Sequence, residues 1–240
     1  MNIFRAILDT ILPPRCIKCG KIISDNIGLC EDCFREMNFI SRPYCRKCGY
    51  PFQSEHLPRN LQCPRCNAGK IAPFRYCRSA LCYDDAAKPL ILALKFMDKT
   101  DNAVVMARWL QQVGADIFDA GVDLLVPVPL HYARLLKRKY NQSGLLAGEL
   151  GRLTGLSVDY QALQKHKHTR PQVEFSGQER LKNVKGVFSV KHIEKIKGKR
   201  ILLIDDVMTT GATLKECALA LKKAGAKSVD ALTVARVVLS

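Results

Sequence analysis

The chain has 240 residues, of which 48% are hydrophobic, with 38 Lys and Arg against 22 Asp and Glu. That composition supports one or two folded cores and excludes a disordered or collagen-like protein. The formal charge of +16 points to polyanionic partners: a phosphorylated small molecule, nucleic acid, or both.

In chain order, Met1 to Leu12 reads as a short amphipathic helix. It is too short and too broken by charge for an export signal, and no segment approaches the roughly 20 apolar residues of a membrane-spanning helix. A cytoplasmic location without a membrane span is expected. Ten of the eleven cysteines precede residue 83, and eight form four Cys-x-x-Cys pairs: Cys16/Cys19, Cys30/Cys33, Cys45/Cys48 and Cys63/Cys66. Repeated pairs at this spacing, without an export signal, indicate two closed structural zinc sites rather than disulfides. Sequential pairing of neighbouring Cys-x-x-Cys units, as in a ribbon, is favoured over a cross-braced alternation. Gly20 and Gly49 each follow the second cysteine of a pair, where a tight turn needs positive φ and can aim amides at sulfur. With few large apolar side chains, this region depends on metal to fold. Cys77, Cys82 and Cys217 are expected to be buried or half-buried thiols. His56, His166 and His168 are surplus to the metal sets.

Near residues 76–86 the pattern changes to apolar-periodic segments. Arg75 to Tyr83 fits a strand, and Pro89–Phe96 and Ala103–Phe118 have helical periodicity. Leu124 to Pro129 is a short apolar run ended by prolines, followed by a helix over Gln142–Thr154. A polar, basic stretch runs from Lys165 to Lys185. Then come a strand at Val187–Val190, a strong strand Arg200–Asp205, a helix Ala212–Ala224 and a last strand Val229–Val237. Continuous apolar strands alternating with helices predict an α/β fold: a parallel sheet flanked by helices, preceded by a small zinc-ribbon domain. The expected division is a double zinc ribbon over 1–80 and the α/β domain over 81–240.

The most informative segment is Ile201-Leu202-Leu203-Ile204-Asp205-Asp206-Val207-Met208-Thr209-Thr210-Gly211-Ala212-Thr213. A buried strand delivers two adjacent carboxylates, and a Thr-Thr-Gly-Ala-Thr turn opens the next helix with free N–H groups suited to phosphate. The carboxylates suit ribose hydroxyls and Mg²⁺. Gly-x-x-x-x-Gly-Lys-Ser/Thr is absent, so this is not a P-loop.

This segment resembles the phosphoribosyl pyrophosphate signature of type I phosphoribosyltransferases. With the four cysteine pairs, Val126-Pro127-Val128-Pro129-Leu130-His131, Arg138-x-Tyr140-Asn141-Gln142 and Arg180-x-x-Asn183-Val184, nearly the whole chain resembles the ComF family of competence and DNA-uptake proteins. The resemblance implies that Asp205 and Asp206 hold the ribose, directly or through Mg²⁺, and would be the catalytic pair of an enzyme. It also implies that Val207, Met208, Thr209, Thr210, Gly211, Ala212 and Thr213 complete the site, with Thr209 to Thr213 cradling the 5-phosphate. Pro127, Val128, Pro129 and Leu130 would occupy the pyrophosphate loop. Arg134, Lys137, Arg138 and Lys139 follow it, and Lys165, Lys167, Arg170 and Arg180 lie on a segment resembling a closing loop; all eight are candidates for contacts to DNA or phosphate. The family pattern has Arg-Gly-Phe-Asn-Gln where this chain has Lys139 in place of glycine, so the glycine conformation is expected to be lost or moved. Lys165 to Arg200 holds 11 basic and 3 acidic residues, and Tyr132, Tyr140, Phe175 and Phe188 offer rings for stacking a single strand. Two functions follow from the resemblance. One is a competence protein that binds single-stranded DNA and phosphoribosyl pyrophosphate, with other uptake proteins as further partners. The other is a metabolic phosphoribosyltransferase releasing pyrophosphate.

Overall fold

A computed structural model describes residues 13–24, 28–54, 57–58, 60–69, 73–96, 100–130, 135, 139–166 and 186–238. The expected helix at 1–12 lies outside them, as do His56, His131, Tyr132, Arg134, Lys137, Arg138, Lys167, His168, Arg170, Phe175, Arg180 and Asn183. Among the described residues no helix is long and apolar enough to cross a membrane.

The cysteine-rich region contributes two short helices, α1 (Glu31–Arg35) and α2 (Pro64–Asn67), each starting directly after the first cysteine of a pair. Then follow β1 (Cys77–Cys82), α3 (Lys88–Phe96), α4 (Asn102–Val113), α5 (Ala115–Asp119), β2 (Leu124–Pro127), α6 (Gln142–Thr154), β3 (Leu163–Lys165), β4 (Phe188–Val190), α7 (Ile193–Ile196), β5 (Arg200–Met208), α8 (Ala212–Lys223) and β6 (Ser228–Arg236). The main sheet has the order β1-β6-β5-β2 and is parallel throughout; β3 and β4 form a small antiparallel pair.

Most expected elements are present, with three differences. The helical period over Ala103–Phe118 is broken at Gly114, whose Cβ would meet Leu110 O at 2.9 Å and Leu232 Cδ1 at 2.9 Å. Strand β5 runs on through the aspartates to Met208, because Val207 and Met208 keep their register with Ala235 and Arg236 of β6. The start of the basic stretch, Lys165, ends a strand paired to Phe188.

Side-chain alternation divides the interior between the two faces of the sheet. On one face Leu202, Ile204, Leu232 and Val234 meet α4 and α6 through Met106, Leu110, Leu146 and Leu150. On the other, Ile201, Leu203 and Ala231 meet α8 through Leu214, Cys217 and Leu221. Cys77 and Cys217 are fully buried and Cys82 is half-buried, as expected. The first ribbon joins the first of these cores: Phe39 stands edge-on to Trp109 at 5.4 Å, and Leu29, Cys33 and Met37 are buried with it. Ribbon backbone also covers the outer edge of β1. Ile40 N–H donates to Ala80 O at 2.8 Å, Cys82 N–H to Asn38 O at 2.9 Å and Cys77 N–H to Lys47 O at 2.8 Å.

Candidate functional site

The eight paired cysteines gather into two sets, Cys16, Cys19, Cys30, Cys33 and Cys45, Cys48, Cys63, Cys66, with the sulfurs of each set within 4.8 Å of one another. The pairing is therefore sequential. Sulfur separations of 3.6 Å for Cys19–Cys30, Cys45–Cys66 and Cys48–Cys63 match the edge of about 3.8 Å that a tetrahedron with Zn–S near 2.3 Å requires. Gly20 and Gly49 take φ of 79° and 68°. Their N–H groups close the turns onto the carbonyls of Cys16 and Cys45, both at 2.8 Å, and a different amide reaches sulfur: Cys63 N–H donates to Cys45 Sγ at 3.3 Å. The Cys45 thiol is held down at about 4, chiefly by its hydrogen bond with Cys48 and then by backbone N–H groups, against the effect of burial. A closed four-sulfur cage suits structural zinc and leaves no open coordination position.

The second site forms around the carboxyl half of β5. Asp205 Oδ1 accepts the Ser143 hydroxyl at 2.9 Å and the Asp206 amide at 2.9 Å. Burial, and next the negative charge of Asp206, push the Asp205 carboxyl up to about 7, although Ser143, the Asp206 amide and Lys95 act the other way. Asp206 pairs with Lys95 at 2.7 Å, both side chains largely enclosed. Lys95 comes from the last turn of α3 and Ser143 from the first turn of α6, so two helices meet over the strand.

Beyond Met208 the chain turns at Thr209–Gly211 and enters α8. Gly211 stands at the N-cap with φ 78°, and Ala212 N–H points to Thr210 Oγ1 at 3.4 Å. The turn ends at the N-terminus of α8, the end of a helix where backbone amides point outward and an anion is favoured. Met208 itself is buried, with its sulfur 3.6 Å from Cys77 Sγ.

The Pro127 to Leu130 loop is tied to the same place. Val128 N–H donates to Ile204 O at 2.9 Å, and the Asn141 side-chain amide donates to Val128 O at 3.0 Å. Asn141 also caps α6, its Oδ1 accepting Ser143 N–H at 3.2 Å. One side chain thus fixes both the loop and the serine that contacts Asp205. Tyr140 donates its hydroxyl to Leu94 O at 2.9 Å, next to Lys95.

Two expectations need correction. Lys139 has φ 66° and is the only non-glycine residue with positive φ among the described residues. The glycine conformation is neither lost nor moved; lysine adopts it. Phe188 is 9% exposed and belongs to the core, because pairing with Lys165 turns it inward, so it offers no free ring face for a base. Of the basic candidates, Lys139 borders the site ahead of Asn141 and Lys165 ends β3. Lys95, which no local signal singled out, is a cation that touches the carboxylate pair.

A parallel sheet with paired carboxylates ahead of a phosphate-type turn, joined to two four-cysteine sites, defines a phosphoribosyltransferase-type domain carrying a double zinc ribbon. Comparison with known families agrees: residues 7–67 match the double zinc ribbon domain and residues 143–237 the phosphoribosyl transferase domain. The chain is 30% identical to DNA utilization protein YhgH of Escherichia coli K12 over 217 residues, covering 87% of this chain and 90% of that protein. It is also 30% identical to Competence protein F of Haemophilus influenzae over 230 residues, covering 92% and 96%. The chain belongs to the ComF family of competence and DNA-utilization proteins. Among solved structures, glutamine phosphoribosylpyrophosphate amidotransferase from B. subtilis is similar over 60% of this chain and 30% of that chain, with 19% identity and a TM-score of 0.40.

Proposed function

We propose that this chain binds phosphoribosyl pyrophosphate at the β5–α8 turn and single-stranded DNA elsewhere on its basic surface, as a cytoplasmic component of DNA utilization or natural transformation. The observation that carries the first part is the continuity of Asp205 and Asp206 with the Thr209–Gly211 turn, which puts carboxylate acceptors for hydroxyls and the N-terminus of α8 in one segment. In this reading Asp205 and Asp206 accept hydrogen bonds from the ribose hydroxyls, and Thr209 to Thr213 hold the 5-phosphate through backbone amides and hydroxyls. The loop from Pro127 to Leu130 faces the pyrophosphate.

The carboxylates already have protein partners: Lys95 on Asp206, and Ser143 and an amide on Asp205. That arrangement fits two hydroxyl donors. It fits a metal held directly by both carboxylates only if Lys95 withdraws, so we assign Mg²⁺ to the pyrophosphate of the ligand, as part of what is bound. Support for the DNA part is the +16 formal charge, reduced to about +12 by two four-thiolate zinc centres, together with the family's DNA-utilization and competence members.

Calorimetric titration of the zinc-loaded chain with phosphoribosyl pyrophosphate, with and without Mg²⁺, tests the ligand. Wild type is expected to bind, and Asp206→Asn is expected to bind at least tenfold more weakly because a ribose acceptor loses its charge. Undiminished binding by both Asp205→Asn and Asp206→Asn would remove the site assignment.

A further inference from the structure

Cations and aromatic rings also alternate at the junction of the second ribbon with β1. The guanidinium of Arg42 lies 5.4 Å from the centre of the Tyr44 ring, and that of Arg78 lies 4.9 Å from the same ring. Arg78 is also 5.3 Å from the Tyr76 ring, and Arg75 is 5.5 Å from it. Arg42, Tyr44, Arg78, Tyr76 and Arg75 thus form one ladder of alternating cations and rings from ribbon to sheet.

The ladder borders open space. Two adjoining concavities of about 290 and 280 Å³ share Arg42, Tyr44, Arg78 and Asp116, and the second adds Arg46, Asn60 and Tyr76. Charge along it is uneven. Arg78 is matched by Asp116 at 2.6 Å and Arg75 by Asp230 at 2.6 Å. Among the described residues Arg42 and Arg46 have no carboxylate partner; Arg46 donates to Asn60 Oδ1 at 3.2 Å. Asp116 Oδ1 is buried with no hydrogen-bond partner.

A compact phosphate needs donors converging on one point. Here Arg78 is buried, with its donors on Asp116 and Cys77 O, and Arg75 is engaged by Asp230, Ala120 O and Gly121 O. The exposed cations Arg42 and Arg46 stand apart from one another beside the half-buried Tyr44 ring, which matches a polymer that alternates phosphates with exposed flat bases. A duplex hides its base faces from such a surface, whereas a single strand presents them.

We propose that the exposed end of this ladder is the surface on which single-stranded DNA lies, with Arg42 and Arg46 on phosphates and Tyr44 against a base, while buried Arg78 holds the ring from the protein side. This rests on the reading above that the chain binds such DNA. Arg75 and Arg78 flank the start of edge strand β1, β6 separates β1 from β5, and the twin aspartates lie in the carboxyl half of β5. In this assignment DNA lies at the amino end of β1 and the sugar phosphate at the carboxyl end of β5, so that the two ligands bind without excluding one another.

The test is fluorescence anisotropy of a labelled oligo-dT on the full zinc-loaded chain, over a series of salt concentrations. An Arg42→Ala/Arg46→Ala variant should lower the slope of log K against log[salt] by about 1.4, two phosphate contacts at about 0.7 each. Tyr44→Leu should weaken binding about five- to 150-fold, while Tyr44→Phe stays near wild type. Zinc content of two per chain and undisturbed phosphoribosyl pyrophosphate binding show that each variant is folded. Saturating phosphoribosyl pyrophosphate should leave the DNA affinity of wild type unchanged. Wild-type affinity and salt slope in the arginine and Tyr44→Leu variants would overturn the ladder assignment, as would competition between the ligands. A wild-type chain with no oligo-dT affinity would instead overturn the DNA reading on which it rests.

Discussion

Replacing Asp205 by asparagine should stabilise the protein, and more so as pH rises. The wild-type carboxyl is raised from 3.8 to about 7, burial being the main cause and Asp206 the next. About three units at about 1.36 kcal/mol each is about 4 kcal/mol of lost stability once the group is ionised in both states. The side chain keeps some solvent contact, so about half of that is expected. The sign follows from proton uptake. Below about pH 4 both states are protonated and there is no penalty. Between 4 and 7 the unfolded chain ionises while the folded chain holds its proton, so wild-type stability falls with rising pH and levels off above 7. Asparagine keeps an Oδ1 to accept from Ser143 and from the residue 206 amide, and it carries no charge. The gap in favour of Asp205→Asn should therefore widen by about 1–2 kcal/mol between pH 5.5 and 8.5. That is roughly 2–8 °C in Tm for a chain of this size. Thermal unfolding of wild type and variant at each pH measures it, and the shared cysteines cancel the pH dependence of zinc binding from the difference. A gap that does not change with pH, or a variant less stable throughout, would refute the account of Asp205 as a strained acid.

Other consequences can be checked directly. Lys139→Gly should raise stability by about 0.5–1 kcal/mol, because relief of about 1–2 kcal/mol of left-handed strain exceeds the entropy glycine adds to the unfolded chain; Tm reports it, and no gain would argue against strain at φ 66°. Cys48→Ser should reduce bound zinc from two per chain to one, read by elemental mass spectrometry, since the two sets share no ligand. Gly49→Ala should cost at least about 2 kcal/mol: its Cβ would stand 2.6 Å from Cys77 O at a φ of 68°, adding a backbone clash to the left-handed penalty. Faster exchange of the Cys77 amide should accompany it, as that N–H bonds to Lys47 O in the adjoining turn.

The parts of the fold legible in the sequence were those with local causes. Asn141 caps the helix at Gln142 and Gly155, at φ 71°, ends it, so both ends follow from side chains within a few residues of them. The cysteine pairs gave the metal sets for the same reason. Features set by distant partners were not legible. Strand β3 is three residues long and exists through its pairing with Phe188–Val190. Strand β5 outlasts its own propensity because β6 continues beside it. Lys95 looks like any last-turn helix lysine, and only topology brings it to Asp206, 111 residues later. The burial of Phe188 is of the same kind: a charged neighbourhood in sequence says nothing about which face of a two-residue period turns inward.

The strand shared between the two parts of the molecule has one further consequence. An outer strand with free amides and carbonyls is a template for pairing with another copy of itself, and here β1 is shielded by backbone from residues 38–40 and 47. The metal-bound ribbons thus act as a sheath for the sheet. Stripping them of metal would endanger not only the local fold but also the cover of the sheet, with self-association favoured at the bared margin.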